Sequence, residues 1–337
     1  MQGSSTDRTG SASQASWRTD PGTRVLAAGE DVLVRAGDAV VKCAGTGLLP
    51  LVAALLERTD GGVLEPVLFA DLDQDQRDRA DAVIDHLVEA GLLIETGAPG
   101  TADPVVLGLW RRSGRAVERA VIAERLRTAT VRINGGGTLA ARIRTEVAAA
   151  GLALAGEDDP AGVTVVVGEH EDDPVLADWN EQALADPDRG PWLAVTPYDG
   201  ERAAVGPWIV PGESACHHCY RLRRAAVFPD AGLSVELPQA RWLGPRLDAA
   251  AAAPGLVAVQ AGLVLDWLLE YLALGDRSAQ LVPGGVSTVE LDLNGLRIGR
   301  HRVLRVPRCP RCAPGRDTGH PQVWFHQLLT AGSDGPA

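Results

Sequence analysis

The sequence predicts an α/β protein in two parts. A winged-helix-like module of three strands and three helices comes first, and a larger Rossmann-like domain with a four-cysteine zinc site follows. Three observations carry this. Between Arg24 and Ala90 the apolar pattern changes from alternation to helical spacing. Gly135-Gly136-Gly137 separates a strand-like run from a helix-like run. Two Cys-x-x-Cys pairs, Cys216-His217-His218-Cys219 and Cys309-Pro310-Arg311-Cys312, stand with 89 residues between them. At 337 residues, 45% hydrophobic and 23% charged, the chain has apolar content for two cores.

The elements follow in order. Residues 1–22 are rich in Ser, Thr, Gly and Gln and offer little to bury, so a disordered tail is expected. The module occupies 23–96. Arg24–Ala28, Asp31–Ala36 and Ala39–Ala44 read as strands, with Gly29-Glu30 and Gly37-Asp38 as their turns. Leu48, Leu49, Val52, Leu55 and Leu56 recur at helical spacing until Asp60-Gly61-Gly62 stops them. Val67–Ala70 suggests a short second helix. Asp73–Ala90 is the third, with Ala80, Val83, Ile84, Leu87 and Val88 on one face and Gly91 at its end. Leu92–Glu95 looks extended. Residues 97–127 are a Gly/Pro/Thr linker, Gly97–Asp103, and an arginine-rich helix, Ser113–Arg127.

The larger domain spans 128–316. Thr128–Asn134 is a strand and Leu139–Ala150 a helix closed by Gly151. Val163–Val167 contains only Val and Thr, the mark of a strand covered on both faces. Leu176–Ala185 is helical and Trp192–Val195 extended. The long apolar run Ala249–Leu269 is broken by Pro254, Gln260 and Asp266, which makes it a core helix and not a membrane span. Ser287–Asp292 and Gly295–Leu304 flank Asn294-Gly295, a strong hairpin signal. Residues 317–337 form a C-terminal tail.

Charge and cysteine usage narrow the chemistry. A formal charge of −12 argues against a nucleic-acid binder, whose affinity comes from cations on phosphates. The third helix carries Asp73, Asp75, Asp78 and Asp81, which would repel DNA from a winged-helix module. Lys42 is the single lysine of the chain. The opening residues show no basic n-region followed by an apolar h-region, so a reducing cytoplasm is the expected compartment. Cys43 sits in an alternating apolar run and is expected to be a packed free thiol. Each Cys-x-x-Cys turn aims two thiolates at one point, and two turns complete a tetrahedral Zn²⁺ shell from Cys216, Cys219, Cys309 and Cys312. Redox pairs or unpaired thiols are the alternatives, and a matched set of two is the more specific signal for zinc. Four sulfurs leave no position for a catalytic water, so the metal would be structural.

Gly135-x-Gly137-x-x-Ala140 fits a nucleotide-loop pattern, and Glu157 stands where a ribose-binding acid could be. A Rossmann-type turn kept only for packing is the alternative. No lysine follows residue 42, and only about a dozen residues join the helix ending near Ala150 to the strand at Val163, too few for another βα unit carrying cations and acids.

Val205-Gly206-Pro207-Trp208-Ile209-Val210-Pro211-Gly212-Glu213-Ser214-Ala215-Cys216-His217-His218-Cys219 resembles the VGP-x-x-x-PG-x-x-x-C-x-x-C segment of ThiF-like proteins, relatives of the ubiquitin-activating enzymes. The resemblance covers roughly 128–315. With the front module it extends to the leader-peptide-binding proteins of azole- and azoline-forming pathways, the ocin-ThiF-like or cyclodehydratase C-type proteins. It implies that the leader of a ribosomal precursor peptide adds as a strand beside the third strand. Val40, Val41, Lys42 and Cys43 would line that rail, and Ile84, Leu87 and Val88 would form an apolar wall. The implied partner is a YcaO-type protein, which binds ATP and performs the cyclodehydration. In ThiF-like folds the region of the long apolar helix often forms a homodimer seam, so the resemblance also admits a homodimer. Active ThiF enzymes carry an Asn-x-x-Arg, a phosphate-contacting lysine and an acidic metal ligand, which this sequence lacks in the matching places. That points to the non-catalytic branch, with Gly135, Gly136, Gly137 and Ala140 as a vestigial nucleotide loop and no bound ATP. The alternative is an ATP-dependent adenylating enzyme acting on a peptide.

Overall fold

The computed structural model describes residues 17–20, 22–37, 39–44, 52, 73–95, 100, 103–156, 159–227, 250, 253–278, 281–293 and 295–313. It divides into two compact units, Met1–Arg125 and Leu126–Ala337.

The first unit is built on β2 (Arg24–Ala28), β3 (Asp31–Ala36) and β4 (Ala39–Cys43), an antiparallel sheet in that order. The two connections are as short as hairpins allow, and Gly29 and Gly37 supply the left-handed turn positions. Alternation puts Val32 and Val34 of β3 and Val41 and Cys43 of β4 on the inner face, all buried. Val40 and Lys42 point outward, and Lys42 pairs with Asp31 at 2.6 Å. Helix α1 (Gln74–Glu89) covers the inner face with Val83, Ile84 and Leu87. It begins at a reciprocal cap: Asp73 accepts from Gln76 N–H at 2.9 Å, and the Gln76 amide oxygen accepts from Asp73 N–H at 3.1 Å. Each large side chain buried there contributes about 1.5–3 kcal/mol relative to exposure.

Two expectations change in this unit. The tail predicted for 1–22 is too long, because Trp17–Thr19 forms β1 and pairs antiparallel with β5 (Leu93–Glu95). Trp17 packs against the same core as α1, so one aromatic anchor orders a segment that composition marks as polar. The helix predicted over 113–127 begins only at Arg119, as α3 (Arg119–Thr128), and a separate helix without a predicted counterpart, α2 (Pro104–Arg112), precedes it. Gly114 and Arg115 adopt φ of 63° and 64°, and two successive left-handed residues cannot continue a right-handed helix. The first two helices of the predicted module lie outside the described residues, apart from Val52.

The second unit is a seven-stranded sheet ordered β12-β11-β10-β9-β8-β6-β7. Its strands are β6 (Thr130–Asn134), β7 (Ala153–Leu154), β8 (Val163–Val167), β9 (Trp192–Thr196), β10 (Arg202–Ile209), β11 (Gly285–Asp292) and β12 (Gly295–Arg302). β6 to β9 pair in parallel, and β9 to β12 pair antiparallel. Every residue of β8 and β9 is buried, as the all-apolar run requires. Helices α4 (Gly137–Ala149) and α7 (Pro254–Leu274) pack together, as do α5 (Pro174–Ala185) and α6 (His217–Ala225). Neighbouring residues of β10 separate the layers: Ala203 packs with Leu256 of α7, and Ala204 with the cysteines. By length and composition α7 could cross a membrane. It is a core helix here, with Val264, Trp267 and Leu268 buried and the Gln260 amide donating to the Thr196 carbonyl at 2.7 Å.

The tightest point of this unit is the turn after β6. Gly135 has φ of 121°, and a Cβ there would lie 2.1 Å from the Val167 carbonyl oxygen. That obstacle is backbone and cannot swing aside. Gly135→Ala is therefore expected to cost about 3 kcal/mol or more. Urea unfolding would show it as a lower midpoint at unchanged slope.

Candidate functional site

Four cysteines from two distant segments form one cluster. Cys216 caps the N-terminus of α6 and Cys219 lies in its first turn, while Cys309 and Cys312 sit in the turns after β12. All four Sγ atoms fall within 4.8 Å of one another. Cys216 and Cys219 are 3.8 Å apart, Cys216 and Cys309 3.8 Å, and Cys219 and Cys312 3.5 Å. Sulfurs bound at ~2.3 Å around a tetrahedral zinc stand ~3.8 Å apart, so the donor set fits such an ion. The Cys216 thiol is pushed up, first by its hydrogen bond to Cys219 and then by burial. Cys219 is lowered to about 5 by accepting from Cys216, with further help from Val306 N–H at 3.3 Å. Four such groups this close ionise together only around a cation, which is the service a bound metal would provide.

The surroundings hold the two pairs in register. The Arg305 guanidinium donates to the Ser214 and Gly212 carbonyls, tying the second pair's approach to the first pair's loop. Arg223 of α6 donates to the Leu304 carbonyl at 2.7 Å. His217 is no ligand. Its main-chain N–H donates to the Asn180 side-chain oxygen at 2.8 Å, and its ring packs beside Trp192 and Tyr220. Burial lowers its pKa to about 3, so the imidazole is neutral. His218 also stays outside the cluster. Arg305 and Arg223 carried no signal in the sequence, because arginines that bind main-chain carbonyls follow no spacing rule.

The predicted peptide rail splits into two sets. Ala36 and Ala39 close the β3–β4 hairpin across a two-residue turn, so they exchange hydrogen bonds. The pairing then alternates: Ala39, Val41 and Cys43 bond β3, and Val40 and Lys42 aim their main-chain groups at the opposite edge. The β2–β3 register, with Ala28 opposite Asp31, requires the same phase. Among the described residues nothing pairs with that edge of β4. Ile84 and Leu87 lie in the core with Val41 and Cys43 and present no open wall, whereas Val88 is 37% exposed. Burial raises the Cys43 thiol pKa, which suits a packed residue and not a nucleophile.

The glycine loop opens onto a cavity of about 480 Å³ whose lining includes Asn134, Gly135, Trp179 and two arginines. Those arginines correct the expectation of a loop without cations. Both are anchored on main chain: Arg144 donates through Nη2 to the Ile133 and Gly135 carbonyls at 3.0 and 2.7 Å, and Arg132 donates to the Gly156 and Asp159 carbonyls. Gly136 caps α4 without a side-chain hydrogen bond, and Ala140 is fully buried. The Trp179 indole N–H is buried and has no hydrogen-bond partner among the described residues. Glu157 lies outside the described residues.

No family model matches the chain, and no curated protein matches its sequence. Solved structures do match its fold. A heterocyclase in complex with substrate and cofactor superposes with a TM-score of 0.62 at 21% identity, covering 88% of this chain and 39% of that one. The heterocyclase TruD gives 0.60 at 22% identity, covering 89% and 43%. E. coli MccB with AMPCPP and MccA gives 0.52 at 13% identity, covering 88% and 99%. This chain thus spans about two fifths of the length of the two heterocyclase chains and nearly all of MccB's.

The cluster makes one expectation measurable. Metal analysis of the purified chain is expected to return one zinc per chain, and Cys309→Ser to return none, with a loss of several kcal/mol in stability. Because thiols must lose protons to bind, zinc release is expected to grow as pH falls.

Proposed function

We propose that this protein is a non-catalytic scaffold. It binds the leader of a ribosomal precursor peptide and presents the peptide to a YcaO-type cyclodehydratase for azoline and azole formation. The observation that carries the reading is the open edge of β4, where Val40 and Lys42 aim main-chain donors and acceptors outward. A disordered leader laid along that edge gains about 0.5–1.5 kcal/mol per hydrogen bond. It pays an ordering cost of roughly 2–5 kcal/mol. Tethering then raises the core peptide's concentration at the partner's active site to around the millimolar range.

Two further points support the reading. The heterocyclases share this fold over almost the whole of this chain, yet each carries more than half of its own length beyond it. In this system that remainder would be the separate partner, which binds ATP. The arginines beside the glycine loop are already anchored on main-chain carbonyls and shape the loop. In this reading the zinc is structural, the protein works in the cytoplasm, and self-association is a property of the second unit. Three observations favour the adenylating alternative: the loop cavity is roomy, its Trp179 N–H has no partner among the described residues, and MccB was crystallised with AMPCPP.

Two experiments separate these. The isolated chain is expected to support no ATP–pyrophosphate exchange, and measurable exchange would establish the alternative. Val40→Pro removes a donor from the open edge without touching the β3 ladder. It is expected to leave the fold intact and weaken leader binding about tenfold or more, read by fluorescence polarisation. Val41→Pro, one residue on, removes a ladder bond and is expected to unfold the sheet.

A further inference from the structure

The open edge of β4 leads, at its Ala39 end, to a second cavity, of about 360 Å³, lined among others by Ala39, Gly91, Leu92, Arg111 and Arg115. Its two cations differ. Arg111 is committed, in an ion pair with the buried Asp20 carboxylate and a hydrogen bond to the Gly91 carbonyl at 2.8 Å. The Arg115 guanidinium has no ion pair or hydrogen bond among the described residues, and only the residue's main-chain N–H is engaged, donating to the Trp110 carbonyl at 2.9 Å. Its guanidinium lies 5.0 Å from the centre of the Trp110 ring, a contact that steadies the plane and leaves the N–H groups unused. Its backbone holds φ of 64°, which is unfavourable for arginine and natural for the glycine just before it. That backbone closes α2, with the Gly114 and Arg115 N–H groups donating to the Arg111 and Trp110 carbonyls, and it leaves an uncommitted cation lining the cavity, a position suited to an anionic group.

We infer that Arg115 receives a carboxylate side chain of the bound peptide, at the position opposite Ala39. The inference rests on the strand-addition reading above and extends it to a residue pattern. In a paired strand, residues directly opposite each other share a face. Residues opposite Ala39, Val41 and Cys43 therefore turn inward and occupy every second position of the peptide. The one opposite Ala39 meets the arginine cavity. The two opposite Val41 and Cys43 meet the apolar margin of the β4–α1 core, where Val88 is exposed. The residues between them turn toward solvent beside Val40 and Lys42, and their identity is open. The recognised pattern is one Asp or Glu, then apolar residues two and four positions away, all on one side of it. An antiparallel peptide reads apolar-x-apolar-x-acidic.

The test is selection from a random dodecapeptide library displayed on phage, panned on the full chain and on Arg115→Gly and Arg115→Glu. Arg115→Gly suits the left-handed backbone, so it removes the cation without harming the fold, which thermal melting checks. The wild-type chain is expected to enrich Asp or Glu at one fixed spacing from two apolar positions. Arg115→Gly is expected to keep the apolar positions and lose the acidic one, and Arg115→Glu to replace it with Lys or Arg. A selected peptide with its acid changed to the amide should bind the wild-type chain about fivefold more weakly, and Arg115→Gly equally well. Two results overturn the inference while leaving strand addition standing: peptides enriched for the apolar pair alone, or an acid preference that survives in Arg115→Glu. If nothing enriches on the wild-type chain, strand addition falls and this inference with it.

Discussion

The second unit depends on the meeting of four thiols. Two pairs from segments 90 positions apart arrive at tetrahedral spacing because β10 and β11 are neighbours in one sheet. β10 leads through the 211–214 turn into the cap of α6, and the β11–β12 hairpin carries the chain back over the same edge. Without a cation, the cluster is a buried set of interacting thiols that can ionise only in part. With one, mutual repulsion becomes shared attraction. The Arg305 and Arg223 contacts to carbonyls shape the loops, and the metal would supply the covalent-strength closure that loops alone lack.

The first unit works by a different constraint, strand parity. A hairpin with a two-residue turn leaves no freedom in which main-chain groups face outward. Gly37 therefore decides more than the turn: it assigns Val41 and Cys43 to the ladder and the core, and Val40 and Lys42 to the open edge. On the proposed function, the same parity would turn alternate side chains of a ligand strand toward α1 and the arginine cavity, so that docking by main chain and selection by side chain would be separated along a single strand.

Much of this was legible in the sequence. Strands β2 to β4, the α1 stripe, β8 and the cysteine set follow from short-range periodicity and spacing, where each residue's role depends on its near neighbours. What the sequence did not give depends on distant partners. Trp17 reads as part of a polar tail because β5, which orders it, lies more than 70 residues away. The break at Gly114-Arg115 hid behind an arginine-rich helical pattern, since a left-handed arginine has no compositional mark. Assigning Val41 and Cys43 to a binding surface overlooked that one strand has two faces and two main-chain edges. The cations beside the glycine loop were sought among lysines near the motif, yet they come from β6 and α4 and are tied to carbonyls.

The order in which the elements leave the ribosome adds a last consequence. The three-stranded sheet and its covering helix are complete by Glu95, whereas the last cysteine of the cluster, Cys312, emerges 217 residues later. At ordinary elongation rates that interval is roughly 10 to 40 s. On the proposed function, the nascent chain would through it own a finished clamp while its metal closure did not yet exist. Capture of a client and locking of the second unit would then be separated in time, and scarcity of the metal would strike only the later event.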